Sequence, residues 1–417
     1  GWRISEEEFF KADWVDNLKL RASWGSIGND SQLNASQFVS GWQFEDRFIL
    51  GGAGNSSASI TNGMKEANLA NPNITWYKVM TTNVGLDGSF WGGKLSFEFD
   101  YFYRKTTGYP ATRNTSLPTT SGIPLPQENL NSSDNRGFEL SLGTVQRIGN
   151  VNLQIKGNVA YAREKDLYKE QALPLNQYKN WRDNGAYRWK NVTWGYEHIG
   201  QFQSYDEIYN SPIQDGKGNS SLRPGDIKYK DLNGDGLIDA NDEKVIGKGT
   251  FPDLNFGLTL AADWKGFDVN ILFQGASNYT QVLNALTSPF RGPGEGNGFR
   301  VWMDSWHKAD YNDPDSEWVP GKFPSLRIEG NDNNSKKSTY WTTDAYYVRL
   351  KSIEIGYTIP KNLLSKVGIE HLRVYANAYN PLTITNVKYT DPEAIEGWQS
   401  FYYPQLKVYS FGVNVSF

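Results

Sequence analysis

Strict alternation of apolar and polar residues decides the fold of this chain, and it is clearest in Lys407-Val-Tyr-Ser-Phe-Gly-Val-Asn-Val-Ser-Phe417. Successive side chains of an extended strand point to opposite faces, so the apolar residues share one face and the polar residues share the other. The apolar face consists of Tyr409, Phe411, Val413, Val415 and Phe417. The segment therefore predicts a β-strand that separates two unlike environments.

The same pattern recurs along the chain and predicts about ten strands. They are expected at about 17–28, 78–90, 93–104, 136–147, 151–163, 254–264, 267–276, 347–358, 370–379 and 407–417. These lengths suit the ~9–11 residues with which a tilted strand crosses a bilayer. Segments of this length that are polar on one face are typical of an all-β, transmembrane antiparallel β-barrel.

Short and long connections alternate between these strands. The short links are Trp91-Gly92, Ile148-Gly149-Asn150 and Lys265-Gly266, with one longer, helix-like turn over 359–369. The long segments cover about 29–77, 105–135, 164–253, 277–346 and 380–406. Outer-membrane barrels have short periplasmic turns and long extracellular loops, whereas a soluble sandwich has no reason to segregate its connections. The spacing therefore favours a barrel with all the long segments on the extracellular side.

Composition excludes several other classes of protein. No run of about eighteen apolar residues occurs, so no membrane-spanning helix is predicted. The net charge is −4 and no basic run is present, so nucleic acid is not an expected partner. The three histidines are far apart, and there is no nucleophile elbow or phosphate-binding loop. The chain is therefore not expected to be an enzyme.

An acidic loop is the sharpest chemical motif in the sequence. It reads Asp231-Leu-Asn-Gly-Asp-Gly-Leu-Ile-Asp-Ala-Asn-Asp242. The spacing matches an EF-hand-type calcium loop, with Gly236 at the sharp turn and Asp instead of the usual Glu at the last position. The predicted ligands are Asp231, Asn233, Asp235, the backbone carbonyl of Leu237, Asp239 and Asp242. We expect a structural calcium ion, the alternative being an acidic surface turn without an ion.

Several segments resemble the SusC family of TonB-dependent outer-membrane transporters. They are Gly225-Asp-Ile-Lys-Tyr with the acidic loop and Phe251-Pro-Asp-Leu-Asn-Phe-Gly-Leu258, Asn17-Leu-Lys-Leu-Arg-Ala-Ser-Trp-Gly25, Asn135-Arg-Gly-Phe-Glu-Leu140, Tyr347-Val-Arg-Leu-Lys-Ser-Ile-Glu-Ile-Gly-Tyr357 and the terminal aromatic strand. The resemblance extends over almost the whole chain. It implies a barrel of about 22 strands in the outer membrane of a Gram-negative bacterium.

The resemblance also implies partners and missing parts. Residues 1–417 would form the C-terminal portion of one β-barrel domain, and the plug domain, the TonB-contacting segment and the N-terminal barrel strands would lie outside them. The remainder of the barrel must pair the open sheet edges, since unpaired backbone groups in lipid cost several kcal/mol each. Further implied partners are TonB, outer-membrane lipid and a SusD-like lipoprotein over the extracellular loops. The terminal strand from Tyr409 to Phe417 resembles the signal that the barrel-assembly machinery reads.

Tryptophans in the long segments are candidates for contacts with substrate or with the lipoprotein. They are Trp181, Trp189 (with Tyr187), Trp194, Trp302, Trp306, Trp318 and Trp341. Aromatic rings stack on the apolar faces of sugars, and the Asn331–Asn334 stretch offers amides for sugar hydroxyls. The alternative is that these rings pack the loops together.

The cargo and the broader function class have alternatives. The aromatic content of 14% favours glycans over oligopeptides as the imported substrate. A more distant alternative is a secreted carbohydrate-binding module or enzyme with a dockerin-like calcium loop, although a dockerin has two such loops.

Overall fold

The computed structural model describes residues 1–33, 37–50, 59–113, 125–283, 286, 299–327, 332–364, 368–394, 403 and 405–417. The strands, numbered along the chain, are β1 (Trp2–Arg3), β2 (Val15–Asn29), β3 (Gly41–Leu50), β4 (Ser59–Asn68), β5 (Tyr77–Phe90), β6 (Leu95–Thr112), β7 (Gln127–Ile148), β8 (Val151–Tyr168), β9 (Val192–Tyr196), β10 (His198–Gln201), β11 (Ile227–Tyr229), β12 (Glu243–Lys248), β13 (Leu254–Trp264), β14 (Phe267–Val282), β15 (His307–Lys308), β16 (Trp318–Val319), β17 (Thr342–Thr358), β18 (His371–Thr385) and β19 (Val408–Ser416).

Helices are short and few in the described ranges. The α-helices are α1 (Gln177–Asp183), α2 (Tyr205–Tyr209), α3 (Asp332–Ser335) and α4 (Lys361–Leu364). Short 3-10 helices cover Ile4–Glu6, Ala240–Asp242 and Arg300–Asp304. None of these helices is long and apolar enough to cross a membrane. Helix α4 lies in the turn predicted to be helix-like, whose residues 365–367 are outside the described residues.

Eleven strands form one large sheet in the order β1-β2-β5-β6-β7-β8-β13-β14-β17-β18-β19. The register of β8, β13, β14, β17, β18 and β19 is antiparallel throughout. The predicted all-β, antiparallel fold class is therefore confirmed, and each predicted strand has a counterpart. The two-residue strand β1 is an addition.

Several strands are longer than predicted at the ends that lead into long connections. Strand β6 continues to Thr112 and β7 begins at Gln127, so much of the predicted loop 105–135 is strand. Strands β8, β14, β17 and β18 are also extended in this direction, and the predicted loop 29–77 contains the hairpin β3–β4. Apolar and polar residues alternate only where one face of a strand is apolar. The hydrogen bonds between neighbouring strands continue where both faces are polar. The sequence pattern therefore stops before the strand does.

The two faces of the sheet differ as predicted. One cross-strand row, from β8 to β19, reads Ile155, Leu260, Ile271, Ile353, Ala378 and Tyr409. The adjacent row reads Gln154, Ala261, Asn270, Glu354, Asn377 and Ser410. Paired residues share a face, so one side is apolar and the other is largely polar. On the apolar side Ile355, Val374, Phe411 and Val413 are exposed, as expected of side chains that face lipid.

Tight turns join neighbouring strands at the strand ends opposite those that lead into the long connections. Lys265 and Gly266 connect β13 to β14, and both have positive φ, 46° and 90°. Two central residues with positive φ match the twist of a two-residue hairpin. A Cβ on Gly266 would also lie only 2.8 Å from the carbonyl oxygen of Thr358, so glycine is required there.

The chain divides into two compact units. Unit 1 comprises Gly1–Gly88, Glu98–Glu139 and Ala162–Lys190, and unit 2 comprises Ser89–Phe97, Leu140–Tyr161 and Asn191–Phe417. The largest buried apolar cluster lies in unit 2 and is formed mainly by the long connections. It contains Ile227, Tyr229, Ile238, Leu286, Trp302, Phe323 and Trp341.

Candidate functional site

Three of the candidate tryptophans are buried in the connections of unit 2. Trp302 and Trp341 belong to the apolar cluster, and Trp341 is only 1% exposed. The indole Nε1 of Trp341 donates to the carbonyl oxygen of Asn334 at 2.8 Å. Trp306 is buried as well, and its Nε1 donates to Oε1 of Gln201 at 3.3 Å. For these three residues, burial favours the alternative that they pack the connections together.

A buried polar network lies beside this cluster. The Asp226 carboxylate is completely buried and accepts hydrogen bonds from Arg327 and, at 2.8 Å, from Nδ2 of Asn334. Asn333 is buried too, and its Nδ2 donates to the carbonyl oxygen of Ile227 at 3.0 Å. These two amides, predicted as contacts for sugar hydroxyls, therefore bind the protein's own loops. Asn331 lies outside the described residues.

The remaining tryptophans are more accessible. Trp194 lies on β9 opposite Val245 of β12, and Trp318 has the Lys308 ammonium nitrogen 4.9 Å from its ring centroid. In unit 1, Trp181 of α1 is 54% exposed, with its ring 5.6 Å from that of Tyr178. An exposed indole with a half-buried tyrosine ring beside it can stack on a sugar.

The Trp189 ring is surrounded by cations in unit 1. The guanidinium carbons of Arg163 and Arg136 lie 4.4 and 5.5 Å from the ring centroid, and Nζ of Lys165 lies 5.8 Å away. Lys165 is also 5.8 Å from the ring of Tyr187, which is exposed. We call Arg136, Arg163, Lys165, Tyr187 and Trp189 the Trp189 cluster. The aromatic members were candidates from the sequence, but the cations come from separate strands and carried no local signal.

Ion pairs lie on the polar face of the eleven-stranded sheet, whose members we call the wall strands. Nε of Arg373 on β18 donates to Asp268 of β14 at 3.0 Å, and its Nη2 donates to Glu354 of β17 at 2.7 Å. In unit 1, Arg21 of β2 binds Asp87 of β5 and Asp100 of β6, both at 2.7 Å. A lumen wall with paired charges is ordinary in outer-membrane barrels.

Arg349 is an exception among the charges of strand β17. Its side chain is only 2% exposed, and it binds Glu393 and, at 3.1 Å, Asp391. Both acids belong to the last long connection. Arg349 therefore anchors that connection on the strand, a role that the sequence did not distinguish from an ordinary wall charge.

The predicted calcium loop is held by its own backbone. The two carboxylate oxygens of Asp231 accept the N–H groups of Gly234 and Gly236 at 2.7 and 2.9 Å. Gly236 has a φ of 81°, as the sharp turn requires. Asp242 is completely buried and accepts the N–H groups of Leu232 and Asp239 at 2.8 and 2.9 Å.

The donor set of this loop suits calcium, although it is not gathered around a common point. Its side-chain donors are oxygens, and a carboxylate oxygen that accepts one N–H keeps a lone pair for a hard cation. In the described residues, no three acidic or histidine side chains are arranged to hold a metal ion. Calcium binding by this loop therefore stays a prediction.

Comparison with known proteins finds similarity to TonB-dependent receptors. No protein-family model matches it. It is 28% identical over 440 residues to the TonB-dependent receptor P3 of Formosa agariphila, and 24% identical over 431 residues to the TonB-dependent receptor SusC of Bacteroides thetaiotaomicron. Both alignments cover 100% of this chain, but only 41% and 39% of the relatives, so the chain spans about two fifths of their length.

A solved structure supports the fold in the same way. The RagAB peptide importer in its open-open state superposes with a TM-score of 0.71 at 21% identity, covering 100% of this chain and 42% of the matched one. The names of these proteins describe receptors and an importer, in agreement with the expectation that the chain is not an enzyme. Together with the two-faced antiparallel sheet, these similarities show that the chain resembles SusC-like TonB-dependent receptors over its whole length.

Proposed function

We propose that this chain forms wall strands and extracellular loops of a barrel that imports oligosaccharides across the outer membrane in a TonB-dependent manner. The observation that carries the proposal is the alignment of the whole chain with TonB-dependent receptors. The segregation of tight turns and long connections to opposite strand ends supports it, since the turns would lie in the periplasm and the long connections outside.

An aromatic pair with one exposed ring supports a glycan as the cargo. Trp181 and Tyr178 of α1 are within stacking reach of one sugar, and the amide side chains of Asn180 and Asn184 are nearby in sequence. Because Trp302, Trp306 and Trp341 are committed to packing, Trp181 is the strongest remaining stacking candidate.

Oligopeptides are the second candidate cargo. The superposed importer is described as a peptide importer, and its fold is similar over this whole chain. Identity of 21% between the two chains supports a common fold rather than a common substrate.

A SusD-like lipoprotein is the proposed partner on the extracellular side. Leu173 and Leu175, in the connection after β8, are 90% and 93% exposed. Large apolar side chains that are exposed together often mark a protein interface. Replacing both leucines with serine should reduce the amount of lipoprotein that co-purifies with the full-length transporter, and unchanged recovery would argue against contact at this point.

Uptake assays test the transport function. Cells that express the full-length transporter should accumulate a labelled oligosaccharide mixture, and deletion of TonB should abolish this accumulation. Uptake that persists without TonB would instead indicate a passive pore. A labelled oligopeptide mixture, supplied to the same cells, decides between the two cargo classes.

A substitution in α1 tests the stacking role of Trp181. The W181A variant should lose uptake by roughly fivefold or more, because one stacking contact with an aromatic ring contributes about 1–3 kcal/mol. W264A is the matched control, since Trp264 is similarly exposed but lies at a tight turn. Equal uptake by both variants and the parent would remove Trp181 from the substrate path.

A further inference from the structure

The Trp189 cluster lies on the apolar side of the wall strands. Along β8 the apolar side is formed by Val151, Leu153, Ile155, Val159 and Tyr161. Arg163 and Lys165 continue the same phase, because every second side chain of a strand shares a face. The apolar stretch from Val151 to Tyr161 is about as long as the ~9–11 residues that cross a bilayer. Arg163 and Lys165 therefore lie on the same face of β8, directly after the apolar stretch ends at Tyr161.

Strands β6 and β7 show the same transition. Phe99 of β6 and Phe138 of β7 stack with ring centroids 6.4 Å apart, which places them on one face. Further from the tight turns, Arg136 of β7 lies 5.8 Å from the ring centroid of Tyr103 on β6. Arg136 is two residues from Phe138, and Tyr103 is four residues from Phe99, so both remain on the apolar side. A third cation thus joins Arg163 and Lys165, although Arg136 is itself paired with the buried carboxylate of Asp134 at 2.7 Å. Arg163 and Lys165 therefore supply the excess positive charge.

Apart from Asp134, the acids of this region lie on the side opposite the cations. The segment around Trp189 runs beside β8, and Lys190 N–H donates to the carbonyl oxygen of Glu164 at 2.9 Å. The Lys190 ammonium binds the carboxylates of Glu164 and Asp166 at 2.6 and 3.2 Å. These acids alternate with Arg163 and Lys165 and therefore lie on the opposite face. The apolar side presents aromatic rings and cations together.

We propose that the Trp189 cluster binds the phosphate-bearing headgroups of lipid in the outer leaflet of the outer membrane. The inference rests on the proposed orientation of the barrel, in which this end of the strands is extracellular. Aromatic residues that flank an apolar stretch lie at the membrane interface. Arginine guanidinium groups match phosphate oxygens in geometry and charge. A headgroup anchored here would fix the height of β6, β7 and β8 in the membrane.

Native mass spectrometry of the full-length transporter in detergent, titrated with a bisphosphorylated lipid A, tests the proposal. A lysine or arginine near a membrane surface contributes about fivefold in affinity, so the R163Q/K165Q variant should bind roughly 30-fold more weakly and K165Q about fivefold. K156Q is the matched control, because Lys156 lies on the polar face of the same strand. Its affinity should equal that of the parent. The heat-dependent gel mobility of each variant verifies that its barrel is folded.

Three results would overturn the proposal. The first is equal lipid affinity of the parent and R163Q/K165Q, or equal loss in K156Q. The second is displacement of the lipid by millimolar inorganic phosphate, which would indicate a site for free phosphate. The third is a folded R163Q/K165Q variant that keeps the lipid but loses oligosaccharide binding, which would make the cluster a substrate platform. Uptake that proves independent of TonB would refute the transport proposal and leave these results unaffected.

Discussion

Arg327 binds the carboxylate of Asp226 inside the connections of unit 2, where the two side chains are 4% and 0% exposed. Asn334 donates to the same carboxylate at 2.8 Å, and the Arg223 N–H donates to its other oxygen at 2.9 Å. Arg327 and Asn334 are 101 and 108 residues from Asp226 in sequence. One buried carboxylate therefore joins distant parts of the long connections.

Removal of the Arg327 charge should destabilise these connections. The R327M variant leaves a buried carboxylate without its cation, which costs about 3–5 kcal/mol. The apparent melting temperature of the full-length transporter should fall by roughly 2–5 °C, measured by differential scanning fluorimetry. The D226N/R327M variant should recover part of the loss, because no charge stays buried. R113M is the control, since Arg113 forms a pair with Glu128 that is open to solvent; a similar loss in R113M and R327M would contradict the role of the buried pair.

Gly225 should tolerate no side chain. Its φ is 90°, and a Cβ would lie 2.3 Å from Cγ of Trp306. The G225A variant combines left-handed backbone strain with overpacking and should lose about 2–4 kcal/mol of stability. G218A is the matched control, because Gly218 also has positive φ but has no atom within 4 Å of the added Cβ. Scanning fluorimetry should show the larger shift for G225A, and equal shifts would show that the ring of Trp306 moves aside without penalty.

His198 should make the stability of the connections depend on pH. Burial lowers the pKa of His198, and its Nδ1 lies 2.7 Å from Oγ1 of Thr339, while Tyr340 covers the ring at 5.5 Å. The folded protein therefore binds a proton less readily than the unfolded chain. Stability is fully present above the ordinary histidine pKa of about 6.5 and falls below it, by at most about 1.4 kcal/mol per pH unit, until the lowered pKa is reached.

Replacement by glutamine should remove this dependence. Melting temperatures of the parent and H198Q should converge as the pH falls from 7.5 to 5, because only the parent loses stability through the poor protonation of a buried histidine. H371Q is the control, since His371 is exposed at the start of β18. A parent curve parallel to that of H198Q over this range would contradict the prediction.

The wall strands could be predicted because lipid and lumen impose a period of two on each of them. Tyr409, Phe411 and Val413 alone define a face, and the registers from β8 to β19 extend that face across the sheet. The connections could not be predicted in this way. The burial of Trp341 and the pairing of Asp226 with Arg327 depend on contacts between distant segments, which leave no local period. The candidate tryptophans could be chosen from the sequence, whereas their division into packed and accessible rings follows only from the folded connections.

Calcium should stabilise the acidic loop between Asp231 and Asp242. We propose that it is held by Asp231, Asn233, Asp235, the carbonyl of Leu237, Asp239 and Asp242, in the manner expected for the spacing. An ion that binds only the folded loop adds about 2.7 kcal/mol when its concentration is 100 times the dissociation constant. The full-length transporter should therefore melt at a higher temperature in calcium than in a chelator, and the D231A/D235A variant should lose this difference.

The D310A/D313A variant is the matched control for the calcium experiment. Asp310 and Asp313 also accept backbone N–H groups two residues ahead, both at 2.9 Å, but they lack the calcium spacing. Their replacement removes the same kind of turn hydrogen bond without removing predicted ligands, so the calcium-dependent shift should persist. If D231A/D235A and the parent respond equally to calcium, the loop is an acidic turn without an ion. Asp242 then serves only to accept the backbone N–H groups that hold the turn in place.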